Sequence, residues 1–247
     1  MKKLLANVIL MAVGFISASA QYFSTKEYQN LHYAATGVRE ADITVVNVDR
    51  ADNGDINVVF ECFAKGPELE MIGGQFSYPM YGSYDAETDI SRFTVVTGEY
   101  MKRFILSLVK QQMLASLESE DDIAKLPEVM AQLEEAVVVN GQLDVTIDPK
   151  AKQGDKMPDS NMSIVLGTIS FVMNIWNGKY LGMETVTVPA GTFDCIKVEY
   201  ILRTKNNGVI EKKHTIEWYA KGVGPVKSIS VSDSTGEENV EELQSID

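Results

Sequence analysis

The chain contains 247 residues and carries a formal net charge of −13. A surface this acidic repels phosphate groups, so the charge argues against binding to nucleic acid or to anionic lipid headgroups. The length suits one large domain with a substantial core, and no linker rich in Pro, Gly or Ser divides the chain.

The N-terminal segment has the features of a secretory signal peptide. Two lysines precede an apolar run from Leu4 to Ile16, and Ala18-Ser19-Ala20 is typical of a cleavage site. We predict a signal peptide over residues 1–20, removed by signal peptidase I, and a mature protein that starts at about Gln21. We therefore expect the mature protein to be free in the periplasm or outside the cell. No later stretch is apolar for about 18 residues, so the sequence does not predict an integral membrane protein.

The first half of the mature chain combines strands with helices. Ile43–Val48 and Ile56–Ala64 are rich in β-forming residues and flank Asn53-Gly54, which predicts a hairpin. Residues 66–98 are rich in Gly, Pro, Tyr and Ser, which predicts loops with short strands. Residues 99–136 have apolar residues at helical spacing and an internal capping-box pattern, so we expect two helices inserted into a β protein.

The second half is predicted to be a series of antiparallel hairpins. Met162–Trp176 and Lys179–Val188 flank Asn177-Gly178, and two further pairs of strands flank turns at 206–208 and 234–236. Strands joined by tight turns are antiparallel neighbours, so this half is expected to form a meander. One β-rich domain over residues 21–247 is therefore predicted.

Two cysteines, Cys62 and Cys195, lie in strand-like runs. An even pair in an exported protein favours a disulfide, which would join early strands to late ones across a very long loop. The alternative is two separate buried thiols, since the sequence does not show that the two strands are neighbours.

Few residues are suited to catalysis. The only histidines are His32 and His214, and no nucleophile elbow, H-E-x-x-H or C-x-x-C motif is present. Carboxylates are so numerous that any pairing for glycoside hydrolysis is arbitrary. We therefore expect no catalytic residues, no metal site, no cofactor and no enzymatic activity, with an acid-dependent hydrolase as a remote alternative.

Three motifs in the second half resemble a known family. They are G-D-K-M-P-D at 154–159, V-T-V-P-A-G-T-F-D-C at 186–195 and E-W-Y-A-K-G-V-G-P-V-K at 217–227. In this order they resemble the DUF3108-like (TapB-like) family of exported bacterial proteins of unknown function. The resemblance implies an exported, antiparallel, barrel-like sheet; it implies no reaction and no functional residues.

The expected fold is mainly β: a strongly curved antiparallel sheet or half-open barrel of about eight to eleven strands, with the helical insertion packed on it. Such a sheet could bind a lipid-like or other hydrophobic or amphiphilic small molecule on its concave face. Met and aromatic side chains suit this role because they adapt to irregular ligands, although an ordinary core would have the same composition. The alternative is a structural protein that assembles with an envelope partner through a sheet edge or through aromatic loops at 76–84. The candidate ligand-binding residues are Phe171, Met173, Trp176, Trp218 and Tyr219.

Overall fold

The structure is a computed structural model that describes residues 21–35, 40–66, 75–117, 119–206 and 208–247. The predicted signal peptide lies outside these residues. The described chain forms β1 (Asn30–Ala35), β2 (Glu40–Arg50), β3 (Ile56–Lys65), β4 (Gln75–Asp85), β5 (Ile90–Thr97), α1 (Gly98–Ser116), α2 (Glu120–Ala136), β6 (Val138–Ile147), β7 (Ser160–Leu166), β8 (Ile169–Val188), β9 (Gly191–Asn206), β10 (Val209–Ala220), β11 (Gly224–Ser232) and β12 (Glu238–Ile246).

The twelve strands form one closed barrel in which each strand pairs with its neighbours in the chain and β1 pairs with β12. Every pairing is antiparallel, and the last one places Leu31 opposite Ile246 and Tyr33 opposite Leu243. The predicted curved antiparallel sheet is therefore confirmed. The barrel is fully closed, because β1 and β12 satisfy each other's backbone hydrogen-bonding groups. It also has twelve strands, which is more than the eight to eleven expected.

Strand β3 illustrates how the sequence selects the inner face. Its burial alternates along the strand, so that Val58, Phe60 and Cys62 are buried, whereas Glu61 and Phe63 between and beyond them are exposed. This period of two places one side of each strand in a continuous apolar core. Phe60 and Phe93 pack across that core with ring centroids 5.6 Å apart.

Most of the predicted turns are confirmed, but Asn177-Gly178 is not a turn. Residues 169–188 form the single long strand β8, which passes through Asn177 with a φ of 57° and a shift in its register against β9. Asn-Gly here makes a bulge, because Asn and Gly also adopt the left-handed conformation that a bulge requires. The hairpin turn lies instead at residues 167–168, so the predicted strand Met162–Trp176 is two strands, β7 and β8.

Residues 76–84, predicted to be aromatic loops, lie within strand β4. The Gly, Pro and Ser residues in this segment are accommodated by pairing with β3 and β5 on either side. The closed ring of described strands also has no free sheet edge. The aromatic loops and the free sheet edge that were expected to bind an envelope partner are therefore not found among the described residues.

The two predicted helices are confirmed, and they cap one end of the barrel. Helix α1 starts at the N-cap residue Thr97, whose side chain accepts a hydrogen bond from the backbone of Tyr100. Phe104 contacts Phe76 of β4 with ring centroids 4.7 Å apart, and Leu106 packs with Ile164 of β7. Phe76 and Ile164 lie at positions that face the barrel interior. Helix α1 therefore packs on the inner face of β4 and β7 at this end.

The N-terminal segment closes the opposite end. Phe23 is fully buried and packs edge-on against Phe60 at 6.2 Å. The backbone around it is fixed by Ser24 N–H donating to Val223 O at 3.1 Å, and by Gly222 N–H donating to Gln21 O at 2.8 Å. The N-terminal segment thus covers the barrel interior at this end.

The predicted disulfide is absent, and both cysteines are buried reduced thiols. Cys62 lies in β3 and Cys195 in β9, which are six strands apart in either direction around the barrel. A disulfide requires Cα atoms within about 7 Å of each other, which strands on opposite walls do not provide. Burial raises the pKa of Cys195 to about 12, so this thiol stays protonated and unreactive at neutral pH.

Candidate ligand cavity in the barrel

The barrel interior contains a cavity of about 170 Å³ between the walls formed by β1–β5 and β10–β12. Most of its surface comes from apolar and aromatic side chains, and a smaller part from carboxylates and hydroxyls. It is lined by Tyr33, Ala41, Ile43, Cys62, Tyr78, Met80, Phe93, Val95, Glu217, Tyr219, Pro225, Lys227, Ser228 and Glu241.

Glu217 supplies the main polar group of the cavity wall. It lies on β10 two residues before Tyr219, so that both side chains point to the same face, and the Tyr219 hydroxyl donates to Glu217 Oε2 at 2.8 Å. Burial raises the pKa of Glu217 to about 7, although hydrogen bonds from Tyr219 and Tyr200 act in the opposite direction; the nearby Glu241 raises it further. The cavity therefore contains a carboxyl group that both accepts and donates hydrogen bonds near neutral pH.

Three buried tyrosines surround this carboxyl group. Burial raises the pKa values of Tyr33, Tyr200 and Tyr219, so their hydroxyls remain donors. Tyr33 donates to the carbonyl oxygen of Pro225 at 2.8 Å and is thereby held against β11. The hydrogen bonds from Tyr219 and Tyr200 hold Glu217 in place, as expected for a polar group that is prepared for a ligand.

The residues predicted to bind a ligand do not form one site. Only Tyr219 lines the interior cavity, and it is fully buried. Phe171 and Met173 are partly buried and pack against the main core, whereas Trp176 is 47% exposed. The strand period explains the separation, since Trp176 is an odd number of residues from Phe171 and Met173 and lies on the other face of β8.

Trp218 does not line the cavity, and two lysine side chains cover its ring. Lys197 Nζ lies 4.8 Å from the centre of its ring and Lys227 Nζ lies 6.0 Å from it. Each lysine is held by a carboxylate, Lys197 by Glu184 at 2.8 Å and Lys227 by Glu242 at 2.6 Å. The ring is therefore covered by protein side chains in a cation–π arrangement, which accounts for this tryptophan structurally.

Sequence analysis did not identify Glu217, Glu241, Tyr33 or Tyr200 as site residues. The sequence of β10 contains one pattern that could have identified Glu217. Glu217 lies on the same face as Tyr219, and a charged residue at a position that faces the core is unusual. Tyr33 could not have been linked to it, since β1 approaches β10 only through closure of the barrel.

The two histidines lie away from this cavity's lining, and each contacts a carboxylate. His32 Nδ1 is 2.7 Å from Asp42 Oδ1, and His214 Nε2 is 3.5 Å from Glu199 Oε2. Among the described residues, no cluster of three or more His, Cys, Asp and Glu side chains could hold a metal ion. None of the described helices is both long and apolar enough to cross a membrane.

These observations define a closed antiparallel β barrel with a small internal cavity that contains a carboxyl group. Residues 121–236 match the DUF3108-like family, which confirms the resemblance seen in the sequence motifs. The match begins within α2 and ends in the turn before β12.

Two solved structures share the fold over almost the whole chain. One, from Bacteroides fragilis, is provisionally described as an exported protein with a YmcC-like fold; it has a TM-score of 0.61, 16% identity, and coverage of 91% of this chain and 98% of its own. The other, from Parabacteroides distasonis, is provisionally described as a lipoprotein; it has a TM-score of 0.61, 15% identity, and coverage of 92% and 98%. At such identities the similarity shows the fold alone. No functionally curated protein matches the chain significantly.

Proposed function

We propose that the protein is an exported, non-enzymatic binder of a small amphiphilic ligand, whose apolar part occupies the barrel cavity and whose polar group hydrogen-bonds to Glu217. The observation that carries the proposal is a carboxyl group fixed by Tyr219 on the wall of a mainly apolar cavity. Export is supported by the signal-peptide pattern of residues 1–20 and by the descriptions of the two structurally similar proteins.

The size of the cavity restricts the ligand. Its volume of about 170 Å³ is close to the roughly 150 Å³ of an engineered cavity that binds benzene. A whole lipid does not fit, so the buried part is a single ring or a chain of about six carbons. The concave surface that could hold a larger acyl chain is filled by buried side chains such as Phe23, Phe60 and Tyr219.

The chemistry of the wall restricts the polar group. Glu217 and Glu241 both line the cavity, and an ionised carboxylate only accepts hydrogen bonds. A ligand amine or hydroxyl would satisfy Glu217, whereas a ligand carboxylate would add a third negative group to a buried site. We therefore expect alkyl amines to bind most tightly, followed by alcohols, and carboxylates to bind least.

The first test is native mass spectrometry on mature protein purified from a bacterial periplasm. A co-purified small molecule of a few hundred daltons or less, released on denaturation, supports the proposal and identifies the ligand. A second test uses defined probes: hexylamine, hexanol and hexanoate are titrated at pH 8, and the NMR signals of Met80 and the other cavity residues are followed.

Two variants test the site separately. Glu217→Gln should weaken hexylamine binding by about tenfold, which is roughly the loss of one charge-assisted hydrogen bond. Ala41→Leu should abolish binding of all three probes, because Ala41 lines the cavity and the larger side chain fills it. Glu211→Gln is the matched control, since Glu211 is exposed on the same strand. Absence of any shift in the cavity signals with all three probes, together with a bare protein mass, would refute the proposal.

A further inference from the structure

A second site, independent of the internal cavity, lies on the outer wall of the barrel. It is a groove of about 540 Å³, which we call the outer groove, and it is lined by residues of β7, β8, β9 and β10 together with Asp159. This volume falls within the range of about 300–1,000 Å³ that is common for small-molecule sites. No part of the proposed cavity lining contributes to it.

The floor of the outer groove is a row of polar side chains that the strand register places side by side. Asn161 pairs with Asn174, Asn174 with Arg203, and Arg203 with Lys212. Paired residues of antiparallel strands point to the same face, so two amides and two cations form one line across four strands. This line presents donors and acceptors at about 5 Å intervals, the spacing of adjacent strands.

Trp176 forms an aromatic wall beside this row. It lies two residues after Asn174 on β8 and therefore on the same face, and 47% of its surface is exposed. Unlike Trp218, which is covered by Lys197 and Lys227, Trp176 offers its ring to solvent. An exposed indole beside polar groups suits a ligand that has one apolar face and several hydroxyls.

The charges in the outer groove indicate an anionic ligand. Arg203 and Lys212 lie directly opposite each other, an arrangement of like charges that is destabilising without a counter-ion. The ion pairs formed among the described residues involve other lysines, and neither Arg203 nor Lys212 takes part in them. Two such cations in a protein with a net charge of −13 are a local exception to the surface charge.

Asp159 adds a fixed acceptor at the edge of the groove. Its Oδ1 accepts a hydrogen bond from the backbone N–H of Asn177 at 3.2 Å, which orients the carboxylate. A carboxylate in the lining of the groove can accept a hydrogen bond from a ligand hydroxyl. The outer groove therefore combines an aromatic platform, amides and a carboxylate for hydroxyls, and two cations for an acid group.

We propose that the outer groove binds an acidic saccharide. Its ring packs on Trp176, its hydroxyls bond to Asn161, Asn174 and Asp159, and its carboxylate pairs with Arg203 and Lys212. Arginine suits this role because its planar guanidinium forms paired hydrogen bonds to a carboxylate. A neutral saccharide lacks the last interaction, so the groove should discriminate by charge.

The test is isothermal titration calorimetry of the mature protein with tetragalacturonate and with neutral maltotetraose. Tetragalacturonate should bind at least about tenfold more tightly, and the difference should shrink in high salt as the ion pairs are screened. Trp176→Ala should weaken tetragalacturonate binding by about tenfold or more. The double variant Arg203→Gln/Lys212→Gln should reduce its affinity to that of maltotetraose.

Two control variants match these changes elsewhere on the surface. Tyr28→Ala removes another exposed aromatic side chain, and Lys221→Gln removes an exposed lysine in the turn between β10 and β11. Neither should change the affinity for tetragalacturonate. Equal binding of the two saccharides, no binding of either, or loss of binding in the controls as large as in Trp176→Ala would each overturn the proposal. Binding of anionic lipid vesicles through Arg203 and Lys212, without saccharide binding, would overturn it in favour of a membrane surface.

Discussion

At the scale of single residues, Glu217 should make the stability of the protein depend on pH. Its pKa in the folded state is raised from 4.5 to about 7 by burial, so the folded state binds more protons than the unfolded state between these values. The contribution of Glu217 to stability is then fully present below about pH 4.5, falls as the pH rises to about 7, and does not change further above it. The full loss is about 3 kcal/mol, at roughly 1.4 kcal/mol for each unit of pKa.

Denaturant unfolding of the wild type and of Glu217→Gln between pH 5 and pH 8 measures this effect. The variant has no proton to lose at this position, so its stability curve should be flatter by about 2–3 kcal/mol. Glu211→Gln, at an exposed position of the same strand, should give a curve parallel to that of the wild type. Parallel curves for Glu217→Gln and the wild type would show that Glu217 is not buried as described.

At the scale of elements, the N-terminal segment should be an integral part of the barrel. A Cβ added at Gly82 of β4 would lie 3.0–3.1 Å from ring atoms of Phe23. Gly82→Ala should therefore displace Phe23 and destabilise the protein by about 1–3 kcal/mol, which is typical of overpacking. Thermal unfolding measures the change, with Ser83→Ala on the same strand as the control.

The same contact gives a coupling test. Phe23→Leu alone should cost about 1–2 kcal/mol, but it also makes room for a methyl group at position 82. The double variant should then be more stable than the sum of the two single changes predicts, because the residues share one contact. Strict additivity would show that residues 21–24 do not pack into this end of the barrel.

Elements that depend on local signals were largely predictable from the sequence. The helices over 99–136 have helical spacing and an N-cap, and the turns at 53–54, 206–208 and 234–236 contain Gly at positions suited to it. Asn177-Gly178 misled the prediction because the same dipeptide satisfies both a turn and a bulge. Here the long pairing of β8 with β9 favours the bulge over a turn, because it extends from Phe171 to Val188 and continues past Asn177-Gly178.

At the scale of the whole molecule, closure of the barrel was not predictable. Pairing of β1 with β12 joins the two ends of the described chain, and no local pattern in either strand identifies the partner. The internal cavity depends on the same closure, since it brings Tyr33 of β1 towards Glu217 and Glu241. The disulfide prediction failed for the same reason, because the position of β3 relative to β9 is a property of the closed ring.

The seam between β1 and β12 should be as stable as the rest of the sheet, and hydrogen exchange measures this directly. If β1 and β12 are paired, their amides should exchange as slowly as those of the central pair β9 and β10; in an open sheet the two edges would exchange much faster. The seam is continued by Asn30 and Asp247, whose N–H groups each donate to the other's carbonyl at 3.0 and 2.9 Å.

A substitution at the seam should then affect both strands together. Leu243 of β12 is fully buried, and Leu243→Ala should cost about 2–5 kcal/mol and accelerate exchange throughout β1 and β12. Gln244→Ala changes the neighbouring, partly exposed position and should leave the exchange pattern unchanged. Fast exchange of β1 and β12 in the wild type would mean that the sheet is open. The cavity would then lose the wall that holds Tyr33 and Glu241, and a ligand could enter from the side without displacing the α1–α2 cap.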